Sequence, residues 1–109
     1  MHLNRKLELQ EAVRVPDGSG GFVENWSPLG SLWAAFDAGA GRELAGVKTP
    51  LSRVPYVISV RAAPHGAPSR PKAGQRFVEG VRVFPILAVS DGDPNGRYLT
   101  CHAEEEIVV

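Results

Sequence analysis

One cysteine, Cys101, stands alone among 109 residues, so an internal disulfide is excluded. No CxxC pair and no Cys/His grouping at metal-ligand spacing accompanies it, and no metal centre or other cofactor is expected. An intracellular assembly compartment is the corresponding expectation. An excess of either charge is also missing, since 12 Lys and Arg meet 12 Asp and Glu. Proteins that hold nucleic acid through its backbone usually carry a basic excess, because neutralised phosphates supply most of the non-specific affinity. Balanced charge instead suits a surface that DNA touches without sticking. Apolar runs are too short for a membrane span, and Arg5 and Lys6 near the start are not followed by one. Neither a membrane partner nor an export signal is therefore expected. Helical periodicity is the last absence: only Arg42-Glu43-Leu44-Ala45 would make a single turn.

Glycine and proline are plentiful instead, 12 and 9, about a fifth of the chain. They are scattered rather than periodic, which reads as loops between short strands. The length and the 43% hydrophobic content suit one domain, residues 1–109, with a single modest core.

Period-two alternation gives the strands. Leu7, Leu9, Val13 and Val15 share one side while Glu8, Gln10 and Arg14 share the other, with Glu11 as the interruption. The run Pro16-Asp17-Gly18-Ser19-Gly20-Gly21 is a strong turn signal, and Phe22–Trp26 resumes a strand to make a hairpin. Pro28 and Gly30 break or kink that strand before Leu32–Phe36 continues it. Val54–Arg61, Arg76–Glu79 and Val81–Val89 are further strands, rich in β-branched and aromatic residues. Ser90–Gly96 is a dense turn, and Arg97–Glu104 returns as the last strand. Two long irregular segments remain, Asp37–Arg53 and Ala62–Gln75, the second proline-rich and expected to be extended or mobile. The fold class that follows is mainly β: a small antiparallel barrel or sandwich of five to six strands with one or two long loops. Trp26, Trp33, Phe36, Phe77 and Phe84 are expected to fill its core, although either tryptophan would also suit a subunit interface.

Catalytic constellations are hard to assemble from these residues. Asp91, Asp93 and Asn95 share the opening spacing of a calcium loop, but the distal glutamate and the flanking helices are lacking, so a hairpin turn is the better reading. His2, His65 and His102 are far apart in sequence. Cys101 and His102 are neighbours on a strand and point to opposite faces, which prevents a nucleophile–base pair. Gly18-Ser19-Gly20-Gly21 lacks the lysine and the helix of a phosphate loop. Glu104-Glu105-Glu106 reads as a solvated edge that discourages aggregation, or as an acidic docking patch. A non-enzyme is expected, with no catalytic, cofactor-binding or metal-binding residues.

The order of these pieces is similar to a known family. An amphipathic strand is followed by Asp17-Gly18-Ser19-Gly20-Gly21, by Trp26, and by Leu32-Trp33-Ala34-Ala35-Phe36. Then come Gly41-Arg42-Glu43, Tyr56-Val57-Ile58-Ser59-Val60-Arg61, Arg76-Phe77 and Ile86-Leu87-Ala88-Val89-Ser90-Asp91. Arg97-Tyr98-Leu99-Thr100-Cys101-His102-Ala103-Glu104-Glu105 completes the set. This resembles the phage head–tail joining proteins, the head-closure, stopper or head-tail adaptor proteins of siphophages and of gene transfer agents. The glycine-rich stretch from Gly39 to Pro50 and the proline-rich Ala62–Gln75 depart from the family pattern, and both fall in loops.

The resemblance implies a small β-barrel that assembles with itself into a ring, six-fold with twelve-fold the alternative. It implies a portal-adaptor protein above, a tail terminator or tail protein below, and packaged double-stranded DNA in the channel. The place implied is the neck of a virion or phage-like particle assembled in the host cytoplasm, where the ring retains DNA and docks the tail. Within that frame Asp37–Arg53 is the expected channel loop, with Arg42, Lys48 and Arg53 meeting phosphate and Glu43 and Asp37 limiting adhesion. Its 17 residues reach out and back by at most roughly 25 Å at about 3.3 Å per residue. Arg70, Lys72 and Arg76, with Arg61 beside them, make Ala62–Gln75 the competing loop. The terminal segments Met1–Lys6 and Ile107–Val109 are expected to be free to dock on neighbours. A tail terminator or tail-tube ring subunit, a single-stranded nucleic-acid-binding β-barrel and a metal-dependent hydrolase are the alternatives.

Overall fold

The computed structural model describes residues 2–37 and 51–108. Six strands follow one another: β1 (Arg5–Pro16), β2 (Phe22–Asp37), β3 (Leu51–Arg61), β4 (Arg76–Glu79), β5 (Arg82–Asp91) and β6 (Tyr98–Val108). Every neighbouring pair is antiparallel, and the order β1-β2-β3-β6-β5-β4 closes when β4 pairs with β1. Closure leaves no open sheet edge along the ring, which is how small all-β domains avoid edge-to-edge association.

The alternation of the sequence becomes the inner and outer walls. Leu7 and Leu9 of β1, Ile58 and Val60 of β3, Phe77 of β4, Phe84 and Ile86 of β5, and Leu99, Cys101 and Ala103 of β6 fill the interior. Removing a side chain such as Leu9 or Phe84 from water contributes roughly 1.5–3 kcal/mol each. Burial also explains why the Cys101 thiol is pushed up to about 12.

Three features refine or correct the sequence reading, each for a local reason. Pro28 and Gly30 kink β2, one of the two outcomes expected, and do not break it. Leu9 pairs with Gly30 and Gln10 with Pro28, so Leu29 is an extra residue in a β-bulge that bends the strand into the barrel wall. Gly30 has φ of 133°, a conformation that L side chains avoid, so glycine is needed there. The tryptophans do not fill the core. Ala34 is fully buried, so Trp33 beside it points outward and is 56% exposed. Trp26 lies half-buried outside the barrel, under the Arg76 guanidinium. Ala62–Gln75 is irregular but pinned: Ala62 N–H bonds Arg97 O, Arg70 N–H bonds Ala67 O, and Gly74 N–H bonds Ile86 O. Pro71 within it is fully buried.

Turns follow their residues. Asp17 accepts from the N–H groups of Ser19 and Gly21, at 2.8 and 3.1 Å, to set the β1–β2 turn. Gly80 has φ of 62° at the first position of the two-residue Gly80-Val81 connection between β4 and β5, as a primed hairpin turn requires.

Candidate functional site

The barrel has two unlike ends. At the first, every strand contributes to a single cluster: Arg5 (β1), Phe36 (β2), Tyr56 (β3), Glu79 (β4), Arg82 and Phe84 (β5) and Glu105 (β6). Phe36, Tyr56 and Phe84 meet edge to face, with ring centroids 5.0–5.6 Å apart. An ionic layer covers these rings. Arg5 lies 3.7 Å over the Phe36 ring and donates through Nε to Glu79 Oε2 at 3.0 Å. Arg82 donates to both oxygens of Glu105, at 2.8 and 2.9 Å, and to the Tyr56 hydroxyl at 3.2 Å. It also approaches Glu79 at 3.9 Å, which joins the two pairs into one network.

Electrostatics follow from this geometry. The Arg5 guanidinium holds the Glu79 carboxyl below the usual carboxylate range, and Arg82 does the same for Glu105. Glu105 in turn raises Arg82 above its ordinary value. Two guanidinium groups and two carboxylates thus neutralise one another. Among the described residues no buried side-chain nitrogen or oxygen lacks a partner.

This end is also where β2 finishes at Asp37 and β3 begins at Leu51, so the connection 38–50 is rooted beside the cluster. Of the expected channel-loop residues, Arg42, Glu43 and Lys48 lie outside the described residues. Arg53 belongs to β3 rather than to a loop; its side chain is exposed and lies 4.0 Å from Glu104. Ile107 and Val108, expected as a free tail, continue β6 opposite Ser52 and Leu51.

The second end carries Ala62–Gln75, the Ser90–Gly96 turn and the far part of the β1–β2 hairpin. The two candidate loops therefore leave opposite ends of the barrel. Arg70 donates to Ala63 O at 2.7 Å, and Arg76 donates to Gln10 Oε1 at 2.8 Å while stacking 4.1 Å from the Trp26 ring. Both cations hold the protein's own structure, and of the three only Lys72 is exposed. Asp93 accepts from the N–H groups of Arg97 and Tyr98, at 2.8 and 3.2 Å. That capping is the work of a hairpin turn, not of a calcium loop. Among the described residues no three His, Cys, Asp or Glu side chains gather as metal ligands. Cys101 faces inward and His102 outward, as their adjacency on one strand requires.

The family model of the phage head completion protein matches residues 1–106. The chain belongs to that family. A chain from the virion of a native gene transfer agent particle is 53% identical to this one. That match covers 97% of this chain and 96% of the other, with a TM-score of 0.83. Protein SF1141 from Shigella flexneri 2a is 19% identical over 96% of each chain, with a TM-score of 0.63, and shows the same fold. No curated protein matches.

The ionic cluster of this head completion protein was missed in the sequence, although a signal for it existed. Leu99, Cys101 and Ala103 alternate inward on β6, so Glu105 continues their side and enters the barrel end. Only Glu104 and Glu106 of the acidic triplet remain on the outside, where the whole triplet was expected. A carboxylate on the core side needs a cation opposite it, and Arg82, two residues before buried Phe84 on β5, is in phase to supply one.

Proposed function

We propose that this head completion protein forms the ring that closes the filled head, retains the packaged double-stranded DNA and presents the platform on which the tail docks. The observation that carries the proposal is the near-complete match: the family covers residues 1–106, and a virion chain of a gene transfer agent shares 53% identity over 97% of this chain. A structural protein of the particle neck follows, assembled in the host and surrounded by copies of itself, a portal adaptor, a tail protein and DNA.

The fold supports a division of labour within that role. The connection 38–50, with Arg42, Glu43 and Lys48, is assigned to the channel, and its roots stand beside the ion-sealed end with Arg53. The opposite end, with Lys72 and the hairpin, is assigned to protein neighbours. A barrel braced by residues from every strand holds the Asp37 root of the channel loop, with Phe36 beside it 5.6 Å from Tyr56, while the Leu51 root is held by the β3–β6 ladder.

Electron microscopy of particles from a producing strain with the gene removed tests the role. DNA-emptied heads beside complete, unattached tails are expected. Normal tailed particles overturn the proposal. Heads that keep their DNA, joined to tails of abnormal length, replace it with a tail terminator.

A further inference from the structure

Past Gln10 on β1 and before Pro28 on β2, each strand has only the other as its neighbour. β4 reaches β1 only at Glu8–Gln10, and β3 reaches β2 only at Ala34–Asp37. Residues 11–27 therefore form a two-stranded ribbon that stands off the barrel. Such ribbons are marginal in water when left alone. This one is braced at its root by Arg76 on Trp26 and along its length by Arg14, 4.7 Å from the Phe22 ring.

The ribbon carries apolar side chains that no part of its own barrel covers. Val13 and Val15 continue the inward side of β1 set by Leu7 and Leu9, and Val23 pairs opposite Val15. All three are exposed, as is Phe22 on the other face at 57%. Three carboxylates, Glu11, Asp17 and Glu24, surround them against one guanidinium, Arg14.

The outer wall of the same barrel holds a complementary surface. Trp33, Leu3 and Arg61 are shared by two adjoining grooves of ≈ 460 and ≈ 240 Å³, which His2, Tyr98 and Ser31 complete. Lys6 sits opposite Trp33 across the β1–β2 ladder. Neither Lys6 nor Arg61 is ion-paired with a described residue, and both are exposed. The groove thus offers an exposed indole between free cations, and the ribbon offers apolar side chains among carboxylates. One chain cannot join them to each other. Phe22 and Trp33 lie on one extended strand, separated by roughly 35 Å at about 3.3 Å per residue.

We propose that the 11–27 ribbon of one copy docks in the Trp33 groove of the next copy. Val13, Val15 and Val23 meet Trp33 and Leu3, while Glu11 on the same face and Asp17 at the turn face Lys6 and Arg61. Two different patches joined in this way make a heterologous contact, which does not stop at a dimer and closes into a ring when the rotation between copies completes a circle. The inference rests on the ring-forming role proposed above and names the surfaces that build it.

The test uses intact particles carrying Ser19→Cys at the ribbon turn and Ser31→Cys at the groove. Both positions are exposed, and buried Cys101 does not compete for reagent. A short bifunctional thiol cross-linker is expected to give a ladder of covalent multimers from the double variant and none from either single variant. Particles that assemble normally but yield no ladder overturn the proposal, as does cross-linking by Ser19→Cys alone, which would mean that ribbons meet each other. A fluorescence titration of the purified Trp26→Phe chain, in which Trp33 is the one tryptophan left, with a single-stranded oligonucleotide is expected to show no binding, and saturable quenching would give the groove to nucleic acid instead. Failure of the ladder with a gene deletion that still empties heads removes this contact alone. A deletion that leaves normal particles removes the ring role itself.

Discussion

Replacing Arg82 should cost far more than neutralising its partner Glu105, although they share one ion pair. The Glu105 side chain is 10% exposed and that of Arg82 is 39% exposed. Arg82→Met leaves a carboxylate in the barrel end with its two strongest hydrogen bonds removed. Stranding one member of a fully buried pair costs roughly 3–5 kcal/mol, whereas exposed pairs are worth about 0–1 kcal/mol. A pair with one partly exposed member falls between them, at about 2–3 kcal/mol for Arg82→Met. Glu105→Gln leaves a guanidinium that still reaches water, the Tyr56 hydroxyl and Glu79, so about 1 kcal/mol is expected. For a domain of this size these correspond to drops in Tm of roughly 10 °C and 4 °C.

Urea unfolding measures both variants, with m unchanged as a check that the end states are the same. The pH dependence gives the sharper test. In the parent, Glu79 and Glu105 have depressed folded values, so their stabilisation is present above the unfolded carboxylate pKa, near 4.3, and is lost as pH falls through the folded values. Arg82→Met removes the largest cause of the Glu105 depression and leaves burial, which raises it, opposed by the smaller effects of Tyr56 and Arg5. Its deficit should then shrink as pH falls from 7 towards 4.5, because a protonated Glu105 no longer needs the cation. Equal penalties for the two variants, or an Arg82→Met deficit that stays constant with pH, would refute the reasoning.

Two further outcomes follow from the fold. Gly30→Ala should destabilise by about 1–2 kcal/mol through backbone strain alone, since φ is 133° and nothing lies within 4 Å of the added Cβ; unchanged urea midpoints would show that the bulge relaxes freely. Cys101 is fully buried with its thiol pushed up to about 12, so alkylation under native conditions should be at least on the order of a thousandfold slower than in urea. Rapid labelling of the folded protein would mean that β6 opens locally.

Alternation was enough to read most walls of the barrel. Leu7 and Leu9, Ile58 and Val60, and Leu99 and Cys101 each stand two apart, and each pair is buried. The same parity, applied from Ala34 and Phe36, places Trp33 outside; size and hydrophobicity had suggested the interior. Parity does not say where a strand leaves the barrel. Val13 and Val15 keep the phase of Leu7 and Leu9 yet have no opposite wall, because that depends on β4 ending its contact with β1 at Gln10. The bulges were equally hidden. Pro28 and Gly30 look like a break or a kink in isolation, and Leu87 gives no local signal at all, since a bulge is a property of two strands in register. The ionic end needed four strands to be placed before Arg5, Glu79, Arg82 and Glu105 could be seen as neighbours.

Why that end is closed by ions is a question stability alone does not answer. Buried ion pairs are often matched or exceeded by apolar residues of similar volume. An apolar plug, however, fixes position only through packing, whereas the bidentate Arg82–Glu105 pair and the Arg5–Glu79 bond fix direction as well. They tie β1 to β4 and β5 to β6, while Phe36 and Tyr56 hold β2 against β3. All three couplings lie at the end from which β2 and β3 lead into 38–50. Under the proposed role that connection works against DNA held in a closed head, and a force on it reaches the barrel through Asp37 and Leu51. The strands at those roots can transmit the force to the other four without separating, because each contributes to the cluster. The hairpin, by contrast, leaves the opposite end and is tied to the barrel at its root by Arg76, which stacks on Trp26 and bonds Gln10, and this suits a part that takes its final position from a neighbour.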